Sequence, residues 1–218
     1  MGTLLNRRRY MGGGGGIPPA SSYIQDGLIF QLDGWEKGSK TSQLIWTDLI
    51  GGLELAANGA GMVFDTNCVY NTSSNYVMKS STKLATNADH TIEIAMIPRA
   101  SALPFWNGNS TANNIVVYVN MRNSYQFMQH QKGWLYTMTL GNKYTASANL
   151  SYCVINGEEI TTLGASDWWA SSDDLGLAGR GFVGTWYAVR VYNRRLTAAE
   201  MLFNQKLDNQ RFNLGLTI

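Results

Sequence analysis

The chain has 218 residues, 44% hydrophobic and only 15% charged, with 23 glycines and 11 tyrosines; this suits one turn-rich sheet domain with a sizeable core and excludes a disordered chain or a coiled coil. The net charge of +2 is a property of the N-terminus: residues 1–22 hold Arg7, Arg8 and Arg9 and no acid, which leaves 14 bases against 15 acids in the remainder. A nearly neutral domain has no field to steer nucleic acid onto its surface, and no apolar run approaches the ~18 residues of a spanning helix; neither nucleic-acid binding by the domain nor a membrane span is expected.

Residues 1–22 read as an arm. A basic tip is followed by Tyr10, Met11, the glycines Gly12 to Gly16, then Ile17, Pro18 and Pro19; the glycines make it flexible and the prolines stiffen its exit. A disordered tail is the plain alternative. The few apolar residues before the arginines, with no apolar core of ~7–15 residues after them, do not make a secretory signal. Gly2 meets only part of a myristoylation pattern, because Asn6 stands where Ser or Thr is wanted.

From Tyr23 onward, strand signals recur between Gly, Asn, Ser and Asp clusters. Leu28, Phe30 and Leu32 are predicted to share one face, as are Ile92, Ile94 and Met96, then Ile115, Val117 and Val119, then Tyr136, Met138 and Leu140. Asn156-Gly157 is a type I′ hairpin signal between Tyr152–Ile155 and Glu158–Thr162, since both positions tolerate positive φ. In Trp186–Tyr192, Tyr187, Val189 and Val191 alternate with Trp186, Ala188, Arg190 and Tyr192. Thr197 and Glu200 then form a capping box, with Leu196 placed to staple onto Met201, so a helix starts here. Many short strands and one late helix predict an all-β fold, an antiparallel two-sheet sandwich over residues 23–218 with one short C-terminal helix. Cys68 and Cys153 fall in strand-like segments and are expected as buried thiols, a single disulfide being the alternative.

Catalytic constellations are sparse. A retaining glycosidase needs two carboxylates ~5–5.5 Å apart across a cleft; Glu93 stands alone in its strand, and Glu158-Glu159 point to opposite sides of a hairpin. His90 and His130 have no metal-ligand partner at short spacing, which suits strand-edge or surface residues. The glycine run lacks the Lys-Ser or Lys-Thr of a phosphate loop and precedes prolines. What remains is loop aromatics: Trp106 and Asn107 in LPFWNGNSTANN, Trp168 and Trp169 in SDWWASSDD. An indole face can stack on a pyranose while Asn and Asp bond its hydroxyls; tucking of the rings under loops as satellite core is the alternative. Asp167, Asp173 and Asp174 offer hard oxygen ligands for calcium, though not at EF-hand spacing; no other cofactor is implied.

The phrase G-x-W-x-x-V-R-V-Y-N-R-x-L-T-x-x-E, Gly184 to Glu200, resembles the last strand and following helix of laminin-G-like, concanavalin A-like jelly-roll domains of the bacterial and bacteriophage branch. In the family's order, DGLIFQLDG (26–34) resembles its opening strand, WTDLIGG (46–52) its W-x-D-L turn, HTIEIAMI (90–97) its f-T-I-E strand and YCVINGEEI (152–160) its Y-V-N-G hairpin. The residues from Leu103 to Met128 match no named pattern. LLNRRRYMGGGG is similar to N-termini of structural proteins from phages of gut Bacteroidetes. The resemblance implies a non-enzymatic, oligomeric binding or structural module of a virion, docked to virion proteins by the Arg7–Arg9 arm and gripping host-surface glycan. The alternatives are a virion component that binds no sugar and, in another class, a laminarinase-type hydrolase, although that group's E-x-D-x-x-E strand is absent.

Overall fold

Runs of β-branched and aromatic residues broken by Gly, Asn and Ser favour short strands and tight turns. The computed structural model describes residues 16–37, 44–59, 61–86, 89–100, 102–108, 115–120, 125–129, 132–149, 151–161, 163–165, 174–179 and 181–218. An 8-stranded sheet A runs β14 (Glu158–Ile160), β13 (Cys153–Ile155), β12 (Tyr144–Asn149), β7 (Thr91–Pro98), β17 (Gly184–Tyr192), β5 (Val69–Asn71), β4 (Met62–Phe64), with β1 (Leu28–Asp33) next to β5 along the same flank of β17. A 9-stranded sheet B runs β15 (Leu163–Ala165), β11 (Lys132–Met138), β10 (Tyr125–Gln129), β9 (Ile115–Asn120), β8 (Ala102–Asn107), β16 (Leu175–Gly179), β6 (Met78–Ser80), β3 (Glu54–Ala57), β2 (Ile45–Thr47). Every described pairing is antiparallel. The expected two-sheet sandwich is what forms.

The two sheets bury one core between them. Phe30, Leu32, Ile92, Ile94, Met96, Val189 and Val191 of sheet A meet Met78, Phe105, Val117, Val119, Met138, Leu175 and Leu177 of sheet B, with the Phe30 and Phe105 ring centroids 6.2 Å apart. Burial on this scale is the main favourable term in folding. The hairpin turn has the expected form, with Asn156 and Gly157 at φ 50° and 83°. Cys68 and Cys153 are buried free thiols, and burial pushes both their pKa values up.

Two bulges overturn two predicted faces. The β1 register slips between Leu28 and Phe30, so Phe30 and Leu32 enter the core while Leu28 packs with Tyr192, Leu196 and Met201 on the other side of sheet A. In β17 the slip falls between Trp186 and Ala188. Trp186 therefore shares the core with Val189 and Val191, and Tyr187 and Ala188 both turn outward. One extra residue inverts the period of two beyond it. Two smaller corrections follow. Leu140 lies in the turn after β11, and His90, immediately before β7, is fully buried rather than at the surface. His130 and the Ile115 side chain lie outside what is described.

The central strands of sheet A, β7, β12 and β17, are buried on both faces, and the outer face carries helix α1 (Ala198–Phe212). At 15 residues the helix is longer than expected, and the predicted capping box is present: the Glu200 N–H donates to Thr197 Oγ1, and the Thr197 N–H donates to Glu200 Oε2 at 2.8 Å. Leu196 and Met201 pack together as the staple requires. The rest of the buried helix face is mostly polar: Asn204, Gln205, Asp208 and Arg211 beside Met201 and Phe212. It lies on an equally polar stripe of the sheet.

Arg190 of β17, fully buried, forms a bidentate pair with Asp208 at 2.9 and 2.7 Å and reaches Glu93 Oε2 of β7 at 2.8 Å. Asn204 donates to Glu93 Oε2, Ser147 to Glu93 Oε1, Thr145 to Asp208 Oδ2, and Gln205 to Ser147 Oγ. A second knot lies at the helix C-terminus, where Arg211 pairs with both oxygens of Asp33 at 2.8 and 2.9 Å and with Glu36 at 2.8 Å.

The capping box yields a pH test. The Arg194 guanidinium, with help from Thr197, lowers the Glu200 carboxyl from 4.5 to about 2. The fold thus favours the ionised form; its contribution is present above pH 4.5 and is lost as pH falls towards 2. Glu200→Gln should flatten the acid limb of a stability-against-pH curve, and Thr197→Ala should cost about 1 kcal/mol in urea unfolding at neutral pH. An unchanged acid limb in Glu200→Gln would remove the ion pair from the account.

Candidate functional site

Trp106 and Asn107, the two described residues of the expected sugar-contacting set, belong to sheet B. Its strand ends are in register there: Ile115 opposite Asn107, Asn107 opposite Leu175, Lys132 opposite both Gln129 and Ala165. The connections across 108–114, 130–131 and 166–174 therefore all leave and re-enter at one end of sheet B. The polar-faced helix and both ends of the described chain belong to the outer layer of sheet A: Arg211 Nη1 donates to the Pro18 carbonyl, and Ile218 packs against Gly157 of the β13–β14 turn.

Trp106 stands at this end, but in strand β8 rather than in a loop, and it keeps only 3% of its surface exposed. Its indole lies on Gly176 of β16, where a Cβ would come 2.4 Å from Trp106 Cζ2. Trp106 Nε1 donates to Asp174 Oδ1 at 2.7 Å; Lys79 of β6 pairs with Asp174 Oδ2 at 3.0 Å, its Nζ 5.8 Å from the ring centroid. Lys79, Gly176 and Trp106 are cross-strand neighbours, so the indole bridges three strands of the outer face. The expectation of an exposed loop tryptophan is corrected here, since the missing side chain at Gly176 lets the ring lie on the sheet and bury.

Asn107 is likewise buried and internal: its Oδ1 accepts the Leu84 N–H at 2.7 Å and its Nδ2 donates to the Leu84 carbonyl at 3.2 Å, clamping that segment as a strand neighbour would. Asp174, the one described member of the calcium set, already serves Trp106 and Lys79. Asp167, Asp173, Trp168, Trp169 and the arm residues Arg7, Arg8 and Arg9 lie outside the described residues. Among the described residues no cluster of three His, Cys, Asp or Glu side chains is placed to hold a metal ion. Lys79 and Gly176 were missed in the sequence; a glycine inside the strand LGLAG was the available signal of a close approach.

The carboxylates that do come together are on the other sheet. Glu93 and Asp208 flank Arg190 with no solvent exposure and with donors on every oxygen. Burial raises the Glu93 pKa against the pull of Arg190. A sugar bond cannot reach this pair under α1. Glu158 and Glu159 sit exposed on the edge strand β14.

Similarity to known proteins lies in structure. No family model and no curated protein matches the sequence. Domain 4 of a GH43 extracellular arabinanase from Geobacillus stearothermophilus, solved with arabinotriose, aligns with a TM-score of 0.56 at 11% identity, over 81% of this chain and 97% of that domain. The binding domain of botulinum neurotoxin serotype C1 aligns at 0.54 and 9% identity over 83% of this chain and 52% of that one. The Trypanosoma rangeli sialidase with the inhibitor DANA aligns at 0.54 and 12% over 87% of this chain, but the chain spans only 33% of the sialidase's length. At these identities the likeness is one of fold, a β-sandwich.

Gly176→Ala tests the Trp106 seat. A Cβ 2.4 Å from the ring and 2.5 Å from the Met78 carbonyl should cost about 1–3 kcal/mol and change the near-UV tryptophan circular dichroism. Wild-type stability with an unchanged spectrum would contradict the packing described.

Proposed function

We propose that this chain is a non-enzymatic binding module that grips glycan at the end of sheet B where Asn107, Ile115, Lys132, Ala165 and Leu175 lie in register. The reading is supported by the near-complete alignment with an arabinanase domain solved with arabinotriose. In it, Trp168 and Trp169 supply stacking faces, as their place among small polar residues suggests. Asp167, Asp173 and Asp174 are the candidates for holding a calcium ion. The Arg7–Arg9 arm docks the domain to neighbouring proteins, and the setting we infer is a phage virion in which the module is a homo-oligomer.

A second reading, a virion component that binds no sugar, is favoured by the burial of Trp106, which withdraws one of the expected platform rings. The glycan reading predicts retention of the protein on arabinan or host capsular polysaccharide without new reducing ends, and loss of at least about tenfold in affinity in Trp168→Ala/Trp169→Ala. Absence of retention on any polysaccharide supports the structural reading instead. New reducing ends would overturn both and establish a hydrolase.

A further inference from the structure

The segment that leads into β1 is stitched to the helix layer by the same two arginine knots. Arg211 Nη1 donates to the Pro18 carbonyl, Gln31 Nε2 donates to the Ala20 carbonyl at 3.2 Å, and the Ala20 N–H donates to Glu36 at 3.2 Å. The Ile24 N–H donates to Asn204 Oδ1 of α1 at 3.1 Å. Tyr23 makes the central stitch. Its ring lies over the Arg190 guanidinium at 3.9 Å, and its hydroxyl donates to Asp208 Oδ1 at 2.8 Å. It is 2% exposed, whereas Gln25 and Asp26, in the turn after it, are exposed.

The energetics of the two interfaces differ in kind. Opening the sheet-to-sheet core exposes apolar side chains to water, and nothing in water replaces what is lost. Opening the seam under α1 exposes Asn204, Gln205, Asp208, Thr145, Ser147, Glu93 and Arg190, whose hydrogen bonds and charges water can largely satisfy, together with two apolar clusters, around Met201 and Phe212, that are much smaller than the sheet-to-sheet core. A polar seam of this kind opens at lower cost than the core, provided water can enter. Tyr23 and its neighbours are what close it.

We propose that residues Pro18–Ile24 are a latch on the helix layer: while Tyr23 is seated, α1 is locked to sheet A, and when it lifts, water enters the Arg190 knot and α1 opens as a unit without unfolding the sandwich. The latch is released from the N-terminal side, since the strap is the stretch through which residues 1–17 join the domain. Withdrawal of Tyr23 takes one donor from Asp208 and the aromatic cover from Arg190, and leaves the Phe30–Phe105 core untouched.

The test is native-state amide exchange on the full chain, read separately for α1 and for strands β8 and β16 of sheet B. Tyr23→Phe keeps the ring and removes only the hydroxyl that bonds a buried carboxylate, so it should speed exchange of the α1 amides about tenfold with the β8 and β16 amides unchanged; Tyr23→Ala should speed α1 further. If α1 exchange is unaltered in Tyr23→Phe, the strap is no latch. If α1 and sheet B accelerate by one common factor, the helix layer is part of a single cooperative unit and the proposal is overturned.

Discussion

A guanidinium sealed from solvent constrains almost everything on one side of this molecule. Arg190 stands in the middle of β17, the strand that pairs with β7, β1 and β5, and its side chain points away from the core. A buried charge without partners is prohibitively costly, so the chain must bring carboxylates to it from elsewhere. Glu93 comes from the neighbouring strand and Asp208 from the helix. The Asp208 contact ties α1 across sheet A, and the remaining lone pairs of the two carboxylates accept from Asn204, Thr145, Ser147 and Tyr23. The geometry is specified by unsatisfied bonds more than by area, which is how a helix with a largely polar buried face can be held in one position.

The outcome is a three-layered domain with two dissimilar interfaces. Sheet against sheet is apolar and tolerant; helix against sheet is ionic and exacting. Both ends of the described chain are tied into the ionic layer, Pro18 through Arg211 and Ile218 beside Gly157. Sheet B is left to present its outer face and the connections at its 107–115 end.

Sequence patterns carried the local elements well wherever the chemistry was short-ranged. Thr197 and Glu200 announce the helix start because a capping box is complete within four residues, and Asn156-Gly157 announces its turn because positive φ is a property of those residues alone. The faces of β1 and β17 were misread because a bulge is invisible to a period of two: nothing in TWYAV says that Tyr187 is the extra residue. The function of Arg190 was hidden for a related reason. Its partners lie 97 residues before it and 18 after it, so it reads as one more outward-facing strand residue. Trp106 was placed in a loop by its polar neighbours, whereas Gly176, 70 positions on, is what gives the ring its seat; the pairing of Gly176 with Trp106 is a property of sheet order that a linear reading does not contain.

The central claim is that Arg190 and Asp208 act as one buried unit that fixes the helix layer. A double-mutant cycle measured by urea unfolding addresses it directly, with Arg190→Met, Asp208→Asn and the double variant. The account predicts about 3–5 kcal/mol lost in each single variant and a double variant less destabilised than their sum by about 2 kcal/mol or more, because the second substitution removes a charge that the first had already stranded. Strictly additive losses would mean that the two side chains stabilise the fold independently, and would contradict the account.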